Sequence, residues 1–250
     1  MTTRTIEPAV LQALASIEWD GNKARMAPLD RKVYVKVNDA LTSFGGKWDK
    51  KAKAHLFDID ARDAVEAAIE SGVYISAADV KQIFGEFETP DALADLVVER
   101  GGQCDGSILE PSAGSGQLLK AYMRRYGNPP PMFAVEIQEK RRAELIALGA
   151  DVEVMDFLQT AIMEVFDLVL MNPPFARQAD VDHVTHAFKL LRPGGTLVAI
   201  MSPGWTFREN NKSKEFRALV EANGEYEKLP EDSFRSAGTG VNTVLVTLRK

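Results

Sequence analysis

The chain has 250 residues, of which 45% are hydrophobic, 26% charged and 8% aromatic. This composition predicts a folded globular protein with one full α/β core and an accessory segment, and it excludes a disordered, collagen-like or disulfide-stapled chain. The single cysteine, Cys104, cannot form an intramolecular disulfide, and residues 1–10 lack the pattern of a secretory leader, so we expect a reducing, cytoplasmic setting. No stretch approaches the roughly 18 consecutive apolar residues of a membrane span, and we expect no membrane partner.

The formal net charge of −6 is unevenly distributed. Residues 21–56 contain nine basic and three acidic side chains, whereas residues 57–105 contain three basic and twelve acidic ones. The overall charge argues against nucleic-acid binding, because non-specific affinity for DNA comes from Lys and Arg near phosphates. The local basic excess is compatible with a bound polyanion or with two solvated faces of unlike sign, and the charges alone leave both interpretations open.

The first 85 residues predict a small α+β appendage. Apolar residues spaced three and four apart predict a helix over 30–44, which the pair Gly45-Gly46 ends. Alternation over 54–59 predicts a strand, and 61–71 and 76–84 have the pattern of two short helices.

From residue 86 onward, helical stretches alternate with short apolar runs, which is typical of a parallel sheet covered by helices. The runs are 107–110, 132–136, 152–154, 166–171 and 196–201. Two further strands, 225–229 and 243–248, have no room between them for a crossover helix and should pair as an antiparallel ribbon. The predicted fold class is therefore a doubly wound, Rossmann-like α/β sheet with an antiparallel edge ribbon, whose ligand crevice lies beyond the carboxyl ends of its central strands.

A glycine-containing loop follows the first predicted strand of this sheet, in the sequence Leu109-Glu110-Pro111-Ser112-Ala113-Gly114-Ser115-Gly116. Glycine lets the backbone approach a ligand that a Cβ atom would exclude. A dinucleotide loop has no carboxylate before its glycines, whereas Glu110 stands here at the strand end. Its charge would repel a pyrophosphate and would suit a cationic group of a ligand.

The next two strands also end in acidic residues. Glu136 lies about twenty positions after the glycines, where a carboxylate accepts hydrogen bonds from a ribose diol, although a solvated strand-end Glu is an equal alternative. Asp156 and Phe157 follow the third strand. They fit an adenine ring, with the carboxylate accepting from the exocyclic amine and Phe157 packing on the ring face; the alternative for Asp156 is a helix N-cap.

The fourth strand ends in Asn172-Pro173-Pro174-Phe175. Two prolines hold the chain extended and lack amide donors, so the Asn172 Oδ1 and the Pro173 carbonyl can both face outward as acceptors for an NH2 group. Phe175 supplies a flat apolar face for the ring that carries the amine. Asn-Pro-Pro also occurs in ordinary turns. Its position at the end of strand four, after the glycine loop and the two acidic strand ends, favours a binding site over a chance turn.

These four features together resemble motifs I to IV of class I S-adenosylmethionine-dependent methyltransferases, and more narrowly the DNA adenine-N6 methyltransferases. A Thr-Pro pair precedes motif I in that subgroup and packs against the methionine end of the cofactor; Thr89-Pro90 stands in that place, in the order of the gamma class. The resemblance implies cofactor contacts from Thr89, Pro90, Glu110, Pro111, Ala113, Gly114, Gly116, Glu136, Ile137, Asp156, Phe157 and Asn172, and a catalytic tetrapeptide Asn172, Pro173, Pro174 and Phe175. The last of these is more frequently Tyr in the family.

The resemblance implies methyl transfer from S-adenosylmethionine to N6 of a flipped adenine in double-stranded DNA. RNA guanine-N2 and protein glutamine methyltransferases, which also present a planar NH2, remain alternatives, as does a catalytically silent DNA-binding partner. Gamma enzymes usually carry a target-recognition domain after the catalytic half. We therefore expect the DNA target sequence to be recognised by the first 85 residues, by the loops 176–180 and 204–214, or by a second subunit.

Three further expectations concern substrate and metal. Lys47, Lys50, Lys51 and Lys53 follow a helix stop beside Trp48, and the appendage that carries them is expected either to dock DNA or to form a homodimer. Phe234 is expected on the opposite face of the flipped adenine, because the resembled enzymes place an aromatic residue shortly before the strand that corresponds to 243–248. His183 and His186 lack a third ligand nearby, so we expect surface histidines and no metal.

Overall fold

The computed structural model describes residues 6–57, 61–72, 88–230, 233 and 242–250. Within these residues the strands form two sheets, one of four strands and one of seven. Each sheet has helices and a hydrophobic core of its own. None of the helices described is both long and apolar enough to cross a membrane.

The appendage is a four-stranded antiparallel sheet covered by helices. Its elements in chain order are α1 (Pro8–Ala15), β1 (Glu18–Asp20), β2 (Lys23–Arg25), α2 (Arg31–Ser43), β3 (Lys47–Asp49), β4 (Ala54–Leu56) and α3 (Arg62–Ser71), with the strand order β1-β2-β4-β3. Asp30 caps α2 by accepting from the Lys32 amide at 2.8 Å, and Gly45, at φ 92°, ends the helix as predicted. Val37 and Leu41, at the predicted spacing, are fully buried.

The second unit contains the large sheet. Its elements are α4 (Asp91–Gly101), β5 (Ile108–Pro111), α5 (Gln117–Tyr126), β6 (Met132–Glu136), α6 (Arg142–Ala147), β7 (Asp151–Val154), β8 (Phe166–Met171), α7 (Ala179–Leu190), β9 (Leu191–Met201), α8 (Asn211–Asn223), β10 (Gly224–Lys228) and β11 (Val244–Arg249). The strand order is β10-β11-β9-β8-β5-β6-β7. Strands β5 to β9 run parallel, and β11 is antiparallel to both β9 and β10. The predicted fold class and its edge ribbon are confirmed.

Alternate residues of the strands face opposite layers of helices, as the period of two requires. On β8, for example, Leu168 and Leu170 pack in the core formed with α4, α5 and α6, whereas Val169 and Met171 pack in the core formed with α7 and α8. Burial on both faces explains why the central parallel strands β5, β6 and β8 read as largely apolar runs in the sequence. The chain passes from β5 to β6 and β7 on one side and then returns to β8 on the other, so the topological switch point lies between β5 and β8.

Two details of the sequence prediction differ from the structure. Strand β9 begins at Leu191 rather than at residue 196, with Gly194 at φ 86° in its first half. The three-residue strands β1, β2 and β3 were not predicted, because three residues are too few to display a period. The predicted helix 76–84 and the boundary at residue 85 lie outside the described residues.

The appendage packs against the large unit through α3. This helix lies against residues 176–178, and the side chain of Phe207 packs on the appendage core. The guanidinium of Arg208, which is only 4% exposed, donates to a carboxylate oxygen of Glu66 on α3 at 2.5 Å. A buried ion pair therefore joins the appendage to the segment that follows β9.

Candidate active site

The predicted site residues of the large unit meet at one edge of its sheet. Glu110, Glu136, Asp156 and Asn172 lie at or just beyond the carboxyl ends of β5, β6, β7 and β8, which are neighbouring parallel strands. The switch point lies between β5 and β8, so the glycine loop after β5 and the tetrapeptide after β8 flank the crevice where ligands of doubly wound sheets bind.

The glycine loop turns sharply between β5 and α5. Ser112, Gly114 and Gly116 all have positive φ, at 54°, 54° and 75°. A Cβ on Gly116 would lie 2.6 Å from the Leu148 side chain, so this glycine allows close packing, whereas nothing lies within 4 Å of the equivalent point on Gly114. The loop therefore leaves open space beside Gly114, on a backbone turn that other residues rarely adopt.

Glu136 holds this loop from the neighbouring strand. Its Oε2 accepts from the Gly114 amide at 2.8 Å, and its Oε1 accepts from the Gln138 amide at 2.8 Å. The carboxylate is buried, and each oxygen keeps a second lone pair for a ligand hydroxyl. The following residue, Ile137, is 68% exposed and offers an apolar surface at the same strand end.

Glu110 has a structural role that the sequence did not predict. Its two oxygens accept from the amides of Leu118 and Leu119 at 3.2 and 3.0 Å, which satisfies donors in the first turn of α5. Burial raises the pKa of this carboxyl from 4.5 to about 8, although the two amide hydrogen bonds favour the charged form. Its contact with a cationic group of a ligand stays a prediction.

The predicted adenine pair, Asp156 and Phe157, makes contacts within the protein. Asp156 caps the short turn Phe157–Gln159 by accepting from the Leu158 amide at 3.0 Å, which was its alternative interpretation. The Phe157 ring is 3% exposed and packs in the core, 5.7 Å from His183 and 5.0 Å from His186 between ring centroids. Its contact with an adenine ring stays a prediction. Leu158 is 39% exposed at this position, and the sequence contained no signal that favoured it over Phe157.

The expectation of surface histidines is wrong for His183, which is buried. His186 is half-buried, so only part of its ring reaches the surface. Nδ1 of His183 is 2.8 Å from the Ala179 carbonyl, and Nε2 of His186 is 2.9 Å from Oγ1 of Thr160. Burial lowers the pKa of both histidines, which favours the neutral rings. Among the described residues no group of three or more His, Cys, Asp or Glu is arranged to hold a metal.

The tetrapeptide and the Thr-Pro pair lie together, although 83 residues separate them in the sequence. Asn172 Nδ2 donates to Thr89 Oγ1 at 3.1 Å. Pro173 is buried, Pro174 is exposed, and the half-buried Phe175 packs on the core beneath α4 and α5. Pro90 starts α4, where its carbonyl accepts from Leu93 and Ala94.

The segment after the tetrapeptide is held in an unusual conformation. Arg177 and Gln178 have φ of 56° and 60°, a left-handed pair that costs of order 1–3 kcal/mol per residue unless the surroundings enforce it. The Gln178 side chain accepts from Ser213 Oγ at 2.7 Å, at the start of α8. Together with α3, this contact fixes the backbone that leaves the tetrapeptide.

A buried carboxylate that sequence reasoning missed ties this segment to β9. Asp180 accepts from the amide and the hydroxyl of Ser202 at 2.9 and 2.8 Å. Burial raises the pKa of Asp180 to about 6 against these hydrogen bonds. Since Ser202 follows β9 directly, Asp180 connects the ends of two neighbouring strands.

Nearby Trp205 is buried against Phe216 and Tyr226 and covers the sheet.

The basic turn of the appendage connects β3 and β4. Oδ1 of Asp49 accepts from the amides of Lys51 and Ala52 at 2.8 and 2.7 Å, which defines the turn. The four lysines singled out in the sequence are all exposed. Trp48 is 44% exposed and packs edge-on against His55, with ring centroids 5.2 Å apart. The turn therefore presents clustered cations and one aromatic ring to solvent.

One predicted substrate contact, Phe234, lies outside the described residues. In the sequence it lies between β10 and β11, in the segment 230–241, of which the structure describes only Pro230 and Ser233. Its role in stacking stays a prediction.

Comparisons with known proteins identify similar methyltransferases. No family model matches the chain. The type II methyltransferase M.CvrRI of Paramecium bursaria Chlorella virus XZ-6E is 36% identical over 36% of this chain and 24% of its own length. The type II methyltransferase M.TthHB8I of Thermus thermophilus is 28% identical over 48% of this chain and 35% of its own length. The chain thus spans about a quarter to a third of the curated relatives it matches.

A solved structure has a fold similar to that of the large unit. The methyltransferase subunit of a type I restriction-modification system from Streptococcus thermophilus superimposes with a TM-score of 0.56 and 23% identity, over 76% of this chain and 50% of that subunit. At this identity the likeness establishes the fold of the large unit.

Proposed function

We propose that this chain transfers a methyl group from S-adenosylmethionine to the exocyclic N6 of adenine in DNA. The observation that carries the proposal is the arrangement of the tetrapeptide Asn172 to Phe175 beside the glycine loop, at the switch point of the sheet. Within the tetrapeptide, the Asn172 amide is held by Thr89. The proposal therefore rests on residues from three distant parts of the sequence that meet at one crevice.

The crevice fits the cofactor chemically. Open space beside Gly114 admits a ligand close to the backbone, and Glu136 at its edge has lone pairs for ribose hydroxyls. The exposed side chains of Ile137 and Leu158 stand on neighbouring strand ends and offer apolar surface for an adenine ring. Pro90, Glu110, Pro111, Ala113, Gly116, Asp156 and Phe157 complete the proposed cofactor contacts.

When bound, S-adenosylmethionine supplies a methyl group activated by a positively charged sulfur. The Asn172 Oδ1 and the Pro173 carbonyl accept the two N–H bonds of the target amine. These hydrogen bonds draw the nitrogen lone pair out of conjugation and direct it at the methyl carbon. Phe175 packs on the base, and Pro174 keeps the backbone extended. Orientation and placement of charge therefore account for the rate, and no general base is needed before transfer.

Adenine N6 lies inside a duplex, so the base has to leave the stack to reach Asn172. The exposed lysines of the β3–β4 turn are proposed to bind phosphates, and Phe234 is proposed to stack on the flipped base. The names of the two type II methyltransferases and of the type I restriction-modification subunit support a methyl-transfer reaction in a restriction-modification setting.

Incubation with tritiated S-adenosylmethionine and separate DNA, RNA and protein fractions tests the proposal. Label in DNA that digests to N6-methyladenine is the expected result. Label in RNA guanine-N2 or in protein glutamine would reassign the acceptor while keeping the tetrapeptide chemistry. DNA binding without label in any fraction would favour the silent partner, and the Asn172 assignment would then be wrong.

A further inference from the structure

The Asn172 amide presents an orientation problem to the proposed reaction. An asparagine side chain has an acceptor end and a donor end of nearly the same shape. Only the oxygen end can accept an N–H bond of a target amine. If the NH2 end faced the amine, two donors would oppose each other and the hydrogen bond would be lost.

One contact in the structure addresses this problem. Asn172 Nδ2 donates to Thr89 Oγ1 at 3.1 Å, so the NH2 end of the amide is already engaged. Thr89 is only 6% exposed, and water competes little for its hydroxyl. The rotation of the amide is therefore restricted by a protein group rather than by solvent.

The position of Thr89 is itself fixed. It precedes Pro90, and a residue before proline is held in the extended region of the backbone. The Pro90 carbonyl accepts from the amides of Leu93 and Ala94, and both of these side chains are buried in the core under the sheet. Thr89 thus stands on a rigid helix start that belongs to a different element from Asn172.

We infer that Thr89 is a positioning residue for methyl transfer, whose hydroxyl holds the NH2 end of Asn172 so that Oδ1 faces the acceptor amine. This inference rests on the proposed function. It differs from the contact with the methionine end of the cofactor that the family resemblance implies for Thr89. The two roles predict different outcomes, because one changes the rate of transfer and the other changes cofactor affinity.

Thr89→Val and Thr89→Ser separate the hydroxyl from the shape of the side chain. Valine keeps the β-branched form and removes the hydrogen bond, whereas serine keeps the hydroxyl. Single-turnover methylation of adenine-containing DNA should be about five- to tenfold slower in Thr89→Val and near normal in Thr89→Ser. The dissociation constant for S-adenosylmethionine, measured by calorimetry, should stay within about twofold of wild type in both.

A double-mutant cycle with Asn172→Asp tests the mechanism of the effect. A carboxylate presents two equivalent acceptor oxygens and has no wrong end, so it does not need Thr89 to select its orientation. Thr89→Val should therefore slow the Asn172→Asp protein by much less than it slows the protein with Asn172. Thr247→Val is the matched control, since this half-buried threonine lies on β11 and pairs with Glu225 and Val198.

The outcomes are distinguishable. Equal rates in wild type and Thr89→Val would overturn this inference alone, as would an equal loss in the wild-type and Asn172→Asp backgrounds. A loss confined to cofactor affinity would assign Thr89 to the cofactor and overturn the positioning role. A folded wild-type protein that transfers no methyl group to any NH2 acceptor would overturn the proposed function and this inference together.

Discussion

Two carboxylates hold the glycine loop and the start of the helix that follows it. Glu136 binds the Gly114 amide in the middle of the loop, and Glu110 binds two amides at the start of α5. Both are buried, so each replaces hydration of backbone donors by a fixed acceptor. The loop is therefore preorganised in the absence of a ligand, which lowers the entropic cost of ordering it on binding.

Replacement of Glu136 should weaken cofactor binding at least tenfold. Hydrogen bonds to a charged acceptor contribute roughly 1.5 to 3 kcal/mol each, and Glu136→Ala removes both the proposed ribose contacts and the bond to Gly114. Titration calorimetry with S-adenosylmethionine measures the change. Glu153→Ala on the adjacent strand β7 is the matched control, because that side chain is exposed and should leave affinity unchanged. Unaltered affinity in folded Glu136→Ala would remove this residue from the site.

The buried Glu110 carboxyl should make stability depend on pH. Its pKa is raised from 4.5 to about 8 by burial, so the folded protein keeps a proton that the unfolded chain releases. The free energy of unfolding should therefore fall as pH rises between about 5 and about 8, with a slope of up to about 1.4 kcal/mol per pH unit. Urea unfolding of wild type and Glu110→Gln across this pH range measures the effect. Asp180 also has a raised pKa, but it is present in both proteins, so the difference between their free energies of unfolding belongs to Glu110. Parallel pH profiles would contradict the prediction.

At the scale of elements, the β3–β4 turn should bind the DNA backbone. The triple variant Lys50→Ala, Lys51→Ala, Lys53→Ala should lose affinity for all DNA sequences alike. The slope of log K against log salt should flatten by up to about 0.9 for each phosphate contact removed. Fluorescence anisotropy at several salt concentrations measures both quantities. Cofactor affinity should stay unchanged, because the glycine loop belongs to the other unit.

A matched triple variant controls for loss of positive charge. Lys189, Arg192 and Arg249 lie near the amino-terminal end of β9, away from the ends that carry the site residues. Their replacement by Ala should change DNA affinity much less than the turn variant does. If the turn variant kept wild-type affinity and salt slope, the appendage would have to be reassigned, with dimerisation as the next hypothesis to test.

The ion pair between Glu66 and Arg208 should hold α3 on the segment after β9, and so keep it against residues 176–178. Breaking a buried pair costs about 3–5 kcal/mol, and the partial exposure of Glu66 places the expected cost at the lower end. In Glu66→Ala, hydrogen exchange should accelerate in α3 and residues 176–178 but not in β5 and β6. Glu7→Ala removes an exposed pair with Lys36 and serves as the control. Unchanged exchange in α3 would show that other contacts hold it.

At the scale of the whole molecule, the parallel sheet was the most predictable part. Four of the five parallel strands are largely buried and read as apolar runs, and the positions of Glu110, Glu136, Asp156 and Asn172 at the strand ends followed from the predicted topology. Contacts between distant residues were not predictable: the pairing of Thr89 with Asn172 and of Asp180 with Ser202 depends on packing that no local pattern encodes. The burial of Phe157 was not predictable either, because the sequence does not say which side of a turn faces the core.

The segments proposed to read DNA form a connected block in the structure. Helix α3 of the appendage lies on residues 176–178, Gln178 is bonded to Ser213, and Arg208 is paired with Glu66. The appendage and both loops that follow strand ends therefore adjoin one another beside the tetrapeptide.

The proposed function requires that adenine N6 accepts the methyl group and that Asn172 binds this amine. Wild-type protein should transfer tritium-labelled methyl groups to DNA, recovered as N6-methyladenine. Asn172→Ala should reduce the rate at least about a hundredfold while its affinity for S-adenosylmethionine stays near wild type, since the lost contact acts on the acceptor. Phe175→Ala should show a smaller loss, and Asn223→Ala, at the end of α8, no loss. Near-normal transfer by folded Asn172→Ala, or wild-type product other than N6-methyladenine, would contradict the account.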